Sequence, residues 1–461
     1  MLRLTDPQES LWWQLLPEEV RTLPEHLAFV NSLLDDERFF RPFQERFNTK
    51  VGRPTIPVET YIRMMYLKRV YKLSYEDLVR VVSDSITLRI FCRIPLNQRV
   101  PDASTLKKLT RKYGPEVVEE LLTLVVQRGL EAKVIRGRKV RVDTIVVRSP
   151  IKHPTDIGLL ADGVRVVTRL VKRLQEEVGE AQTRFRDRTR SLKKVVRAVG
   201  YALRGKLKEA RGVLQEQALR ALEITRKVVF QAERILEEKR CEVQRMRGKA
   251  AARGRQLWQE LHQTLSLVTR VMAQTVLALK GVRSIPDRIV SLFDPQAHPI
   301  CRGKANVKTE FGYKAVLVET EERIITHFEV HPGNPADNTL LVSAFEEHLR
   351  VVGKVPRAVA TDRGFTSRAN EAYLEGRGVQ RISLPSRGYR SPPRKEFERQ
   401  RWFRELQRWR AGQEATISLG TRKYEWQHSR MRGHEGARIH LGWGILAYNL
   451  TRLAVLSRSA A

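Results

Sequence analysis

Two aspartates sit where the chain could bring acids to one place. Asp143 is the only acid in the β-branched run "KVRVDTIVV" (139–147), and Asp362 ends "RAVATD", where an apolar strand runs into Arg363 and Gly364. Several glutamates follow on a basic helix nearer the C-terminus, Glu405, Glu414 and Glu425 among them, with Glu435 just beyond. Ligands of α/β sheets gather at the strand ends, so acids from separate strands can converge there. Three such carboxylates suit two hard cations about 4 Å apart, the arrangement that activates an attacking oxygen and stabilises a leaving one. Mg²⁺ takes oxygen ligands in octahedral geometry and keeps waters that a phosphate can replace. Without metal, the same carboxylates would repel one another and raise their own pKa values. The residues alone also allow a plainer reading, in which Asp362 caps the turn before Gly364 and Asp143 pairs with an arginine.

The elements that must carry these acids are readable from periodicity. In the first strand Val140, Val142, Thr144 and Val146 share one face, while Arg141 and Asp143 point to the other. After Pro286 strands are expected at "RIVSLFD", "FGYKAVLVE", "RIITHFEV", "PRAVATD" and "VQRISLP", with helices at "NTLLVSAFEEHLR" and "SRANEAYLEGRG". One long basic helix is expected around "RKEFERQRWFRELQRWRAGQEATISL". The resulting class is mixed, α+β and α/β: a mixed sheet flanked by helices, interrupted after its first strand by a helical insertion. Four segments follow. Residues 1–132 form helices, with Ser74 capping one of them; 133–154 hold the first strands of the core; 155–285 form a basic helical or coiled-coil insertion; and 286–455 complete the sheet. In the insertion Val167, Leu170, Val171 and Leu174 make one stripe, and Leu222, Val229 and Leu236 recur every seven residues.

Charge narrows the partner. Lys and Arg number 85 against 52 Asp and Glu, a net charge of +33, and residues 181–260 alone hold 22 − 9 = +13. Such a field draws polyanions, and each phosphate neutralised releases condensed counterions. Several short capped helices in the first 132 residues suit a DNA-binding module of the helix-turn-helix kind. Stretches free of charge, such as "IHLGWGILAYNLT" (439–451), fall short of the roughly 20 residues of a membrane helix. Asp6, Glu9, Glu18 and Glu19 stand where a secretory signal needs an apolar run. The three cysteines, Cys92, Cys241 and Cys301, are widely spaced, as in a reducing cytoplasm. Trp402, Trp409, Trp426 and Trp443 are candidates for base stacking, with core packing favoured for Trp443.

Four blocks, in order, carry a family resemblance. They are "GRPTIPVETYIRMMYLKRVYKLSYEDLVRVVSDSITLRIFCRIPL", "VRVDTIVVRSPIKHPTDIGLLADGVRVV", "ATDRGF" and "WRAGQEATISLGTRKYEWQHSRMRGHEGARIHLGWGILAYNL". Together they make the chain resemble insertion-sequence transposases of the DDE superfamily, in particular the ISNCY-type branch of bacterial elements. The resemblance implies an RNase H-like catalytic core that cuts double-stranded DNA at an element's terminal inverted repeats and joins the freed 3′-hydroxyl to a target. It implies a metal-binding triad of Asp143, Asp362 and Glu414, because Arg410 stands four residues before Glu414 in the family's R-x-x-x-E pattern. It further implies two Mg²⁺ ions per site, with Mn²⁺ as an alternative. Asp143 would bridge both ions, Asp362 would hold one and Glu414 the other. Arg410, Arg422, Lys423, Arg430 and Arg432 are the implied DNA contacts, and Gly364 would let backbone approach nucleic acid closely. The family carries Tyr where this chain has Gln407, and Lys where it has Thr421. A homodimer or larger synaptic complex, no nucleotide cofactor, no membrane, and a cytoplasmic, nucleoid-associated location complete the expectation. The alternative is a catalytically inactive DNA-binding protein on the same fold.

Overall fold

The computed structural model describes residues 1–5, 16–48, 50–204, 210–282, 284–301 and 309–460. Asp6 and Glu9 of the signal-peptide argument lie outside them. The chain divides into two compact units, 1–150 with 312–461, and 151–311.

In the first unit β1 (Lys139–Arg148) is the central strand. It pairs antiparallel with β3 (Glu310–Thr320), Asp143 opposite Leu317, and parallel with β5 (Ala358–Thr361), Val142 opposite Thr361. Strand β4 (Ile325–His331) is antiparallel to β3, and β6 (Arg381–Ser383) is parallel to β5. The order β4-β3-β1-β5-β6 is therefore antiparallel on one side of β1 and parallel on the other, a mixed sheet. A three-residue strand, β2 (His298–Ile300), precedes β3.

The two faces of β1 are buried by different chemistry. Val140 and Val142, with Val316, Val318 and Val359, pack on Leu341, Phe345 and Leu374. Each such fully buried side chain contributes about 1.5–3 kcal/mol relative to exposure. These partners come from two helices, Leu341–Val352 and Arg368–Gly376. The opposite face carries Ala358, Ala360 and Arg141, and small side chains let a basic helix lie close, with Leu406 against the two alanines. That helix and the one before it were expected as one. Gln400, in extended conformation (φ −56°, ψ 142°), breaks them into Pro392–Arg399 and Arg401–Tyr424.

The helices used below are α1 (Val58–Val70), α2 (Tyr75–Asp84), α3 (Ala103–Glu131), α4 (Pro392–Arg399), α5 (Arg401–Tyr424) and α6 (Gly433–Ala460). Ser74 caps α2 as expected: its Oγ accepts from the Asp77 N–H at 3.0 Å and donates to Asp77 Oδ2 at 2.7 Å. Helix α3 is kinked at Gly114 (φ 76°), which precedes Pro115. The charge-free run at 439–451 is the middle of α6, a helix the sequence reading did not place, and Leu441, Trp443, Ile445 and Leu446 in it are buried against α1, α3 and β4. Buried throughout 439–450, it is a core helix. Among the described residues no helix is long and apolar enough to cross a membrane.

The second unit is a helical bundle. Helices Asp156–Val178, Thr189–Arg204, Ala210–Glu238 and Gly248–Leu279 enclose one apolar core. Val167, Leu170, Val171 and Leu174 are buried in it, as are Val229, Ala232 and Leu236. The expected strand "RIVSLFD" is absent. Ile289 and Val290 are buried, but the side-chain amide of Gln274 satisfies Ile289 in place of a neighbouring strand, accepting from its N–H at 3.0 Å and donating to its carbonyl at 3.0 Å.

Candidate active site

Val142 and Thr361 are the last paired positions of β1 and β5, so Asp143 and Asp362 are the next residues of two parallel neighbours. Strands in such a ladder lie about 4.8 Å apart. Asp362 keeps an extended backbone (φ −81°, ψ 179°), and alternation with Arg141 and Ala360 turns both acids to the face that α5 covers. The two aspartates are thus neighbours in the ladder's register, where β5 ends and β1 continues.

Each also does what the plainer reading required. Asp362 Oδ1 accepts from the Gly364 N–H at 2.9 Å and caps the turn. Asp143 Oδ2 lies 3.5 Å from Arg410 Nη1, and the Asp143 side chain is only 14% exposed. Arg410 also reaches forward one turn along α5, its Nη2 3.9 Å from Glu414 Oε1. One guanidinium therefore spans Asp143 and Glu414. The other glutamates are otherwise engaged: Glu405 pairs with Arg401 at 2.8 Å and Glu425 with Arg430 at 2.7 Å, while Glu435 is exposed in the first turn of α6.

The three acids do not close round one point. Glu414 is 74% exposed, and among the described residues no three metal-ligating side chains lie close enough to hold an ion. Arg410 lies between two of them, 3.5 Å from Asp143 and 3.9 Å from Glu414. The donors nonetheless fit a hard divalent cation in kind, since all are carboxylate oxygens and two come from neighbouring positions of paired strands. A fourth acid, Asp337, was not anticipated. A Cβ at Gly364 would fall 2.6 Å from Asp337 Oδ2 and 3.1 Å from Asp362 Oδ1, so a side chain there would press on two carboxylates. Asp337 is held by Lys314 Nζ at 2.9 Å.

Helix α5 is held by polar contacts that set its register. Arg141, which shares a face with Asp143, donates to Glu319 at 2.7 and 3.1 Å and to the Trp409 carbonyl at 2.6 Å. Thr416 Oγ1 donates to the same Glu319 at 2.7 Å. Arg141 and Glu319 are buried, so this ion pair pins the residue before Arg410 to the strand bearing Asp143. Burial pushes the Glu319 carboxyl above its usual range, while Arg141 opposes the rise. Gln407, in the position of the family's Tyr, donates from Nε2 to the Thr361 carbonyl at 3.2 Å and to the Ser383 carbonyl at 2.8 Å, tying α5 to the strand end before Asp362.

Asp362 opens into a cleft of about 1150 Å³. Seven cations line it, Arg363, Arg390, Lys395, Arg399, Arg404, Arg408 and Arg410, against two acids, Asp362 and Glu398. Of these cations only Arg410 was expected as a DNA contact. The signal was present in the sequence, where residues 387–410 hold nine Lys and Arg against three Glu, 9 − 3 = +6. The other expected contacts lie elsewhere. Arg422 and Lys423 are exposed at the far end of α5, twelve and thirteen residues beyond Arg410, or about 18–20 Å along the helix. Arg430 pairs with Glu425, and Arg432 is exposed. Thr421 bonds back to the Ile417 carbonyl at 2.8 Å. Trp426 and Trp443 are buried in the core, and Trp402 and Trp409 are half-buried.

Residues 16–112 match the family described as Transposase domain (DUF772), and residues 285–450 match the Transposase DDE domain family. Asp362 and Glu414 fall inside the second match, and Asp143 lies between the two. A protein described as uncharacterized, ORF8 in the nfe locus of Rhizobium meliloti, is 31% identical over 169 residues, which are 36% of this chain and 75% of that one. No solved structure matches the chain significantly. Two transposase domains in sequence, the second holding a carboxylate at the floor of a basic cleft, settle the family: the chain belongs to the DDE transposases of insertion sequences.

Proposed function

We propose that the protein binds the terminal inverted repeats of its element, cleaves the phosphodiester at the element's ends and transfers the strand to target DNA. The observation that carries the reading is the in-register placement of Asp143 and Asp362 at successive positions of parallel strands, with Asp362 lining a cleft that seven cations also line. The strand order, antiparallel on one side of β1 and parallel on the other, supports an RNase H-like core.

Asp143, Asp362 and Glu414 are the residues that would hold a metal, Mg²⁺ or Mn²⁺, which when bound would supply the Lewis-acid charge for displacement at phosphorus. The chain's own groups do the rest. The cleft arginines grip backbone phosphates, each contact steepening the salt dependence of binding by about 0.9 in log–log slope. Arg410, freed from Asp143, is placed to meet the reacting phosphate. Arg141 and Gln407 keep α5 in register with the two aspartates. The N-terminal helices and the basic bundle contribute further DNA contacts, and two copies assemble at paired ends in the bacterial cytoplasm.

The exposure of Glu414 favours a second reading, a DNA-binding protein of the same fold without nuclease activity. Plasmid cleavage assays on the element's own ends separate the two. Glu414→Gln is expected to lower Mg²⁺-dependent nicking by more than about 100-fold, above the 10- to 100-fold cost of losing an outer partner of a metal ligand. Glu405→Gln should stay near wild type. The reverse pattern moves the third ligand to Glu405, and wild-type protein that binds the ends without nicking them establishes the second reading.

A further inference from the structure

We propose that Tyr389 is a stacking platform for an unpaired nucleobase at the DNA end held in the basic cleft, an inference that rests on the transposase reading above. Tyr389 is 89% exposed, more than any other large apolar or aromatic side chain among the described residues. An aromatic ring gains nothing from water, and here it is presented by a built device. The loop carrying it has both feet on Glu398. That carboxylate accepts from the Ser386 N–H at 2.7 Å and from Arg390 Nη1 at 3.1 Å, and Arg394 Nε adds a third bond at 2.9 Å. The Glu398 side chain is only 8% exposed, so the clamp is internal. Residues 387–389 project from it, and Gly388 turns the chain in the left-handed region (φ +81°) immediately before Tyr389.

Position gives the ring its ligand. Gly388 and Arg390, its two neighbours, line the cleft that opens at Asp362. The surroundings are cationic, with Arg387 one residue beyond Gly388. A cationic rim recognises phosphate, and a ring at that rim recognises a π-face. Bases inside a duplex have their faces covered, whereas an unpaired base offers one, and aromatic stacking tolerates any sequence. The neighbouring aromatics are committed: Trp402 packs against Phe397 and Phe403, and Trp409 lies under the Arg141 guanidinium at 4.9 Å.

The test uses the full chain in EDTA, so that no strand is cut. Two DNA duplexes of equal length carry 2-aminopurine, one in a single-stranded overhang and one fully paired. Wild type is expected to bind the overhang duplex about 5- to 160-fold more tightly, the range that one stacked base provides, and to quench its fluorescence. Tyr389→Ala should lose preference and quenching while binding the paired duplex with an unchanged salt slope, and Tyr389→Trp should restore both. A Tyr389→Ala protein that keeps the preference and the quench overturns the proposal, as does a wild type that binds both duplexes equally without quenching; in either case the transposase reading survives. A wild type that binds no duplex at all overturns both.

Discussion

Asp362→Asn protein is expected to bind element-end DNA within a few-fold of wild type and to nick it more than about 100-fold more slowly at any Mg²⁺ or Mn²⁺ concentration. Asparagine keeps the shape and one acceptor oxygen, so the turn cap to the Gly364 N–H is retained and the loop beneath the cleft is undisturbed. What is lost is a negative charge next to Asp143. On the proposed reading, binding draws on the seven cations that line the cleft, and that loss leaves them in place. Gel shift and nicking on one preparation separate the two quantities. Wild-type nicking by this variant would leave Asp362 as a turn cap and nothing more.

Arg141→Met has the largest expected effect on stability. The side chain leaves Glu319 buried with Thr416 as its remaining side-chain donor. An uncompensated buried charge of this kind costs about 3–5 kcal/mol. The pH dependence has a definite sign. Burial already raises the Glu319 pKa with Arg141 present, and removing the arginine raises it further. A raised carboxyl contributes stability below its unfolded value and loses it as pH rises through the folded one, so the deficit of Arg141→Met shrinks as pH falls from 7 toward 5. Urea melts at the two pH values measure this. Arg141→Met with Glu319→Leu should recover most of the stability, since an apolar pair of similar volume replaces buried charges at little cost. A deficit unchanged by pH and by the second substitution would mean that Arg141 acts by packing alone.

The pattern of apolar residues made part of this architecture legible. Alternation in 139–147 placed Val140 and Val142 on one face and Arg141 with Asp143 on the other, and the sheet keeps that division. Ser74 was readable as a cap because capping is a local event. The partners of the polar face were not readable, because Glu319 and Trp409 are 178 and 268 residues from Arg141. "RIVSLFD" reads as a strand by composition, yet a single glutamine amide took the hydrogen bonds a neighbour strand would need. The cleft was legible as charge but not as a surface: nine cations in 24 residues do not say that two helices, broken at Gln400, line one cleft together with Asp362. Residue types alone offered four glutamates for the third acid, and only their contacts show that Glu414 is the one sharing Arg410 with Asp143.

Anomalous diffraction at the manganese edge, from crystals of the full chain grown with duplex DNA and Mn²⁺, bears most directly on the metal chemistry. The account predicts a peak bonded to carboxylate oxygens of both Asp143 and Asp362, with Arg410 withdrawn from Asp143. Saturating Mn²⁺ that leaves these two aspartates without a peak, Arg410 still resting on Asp143, would contradict it.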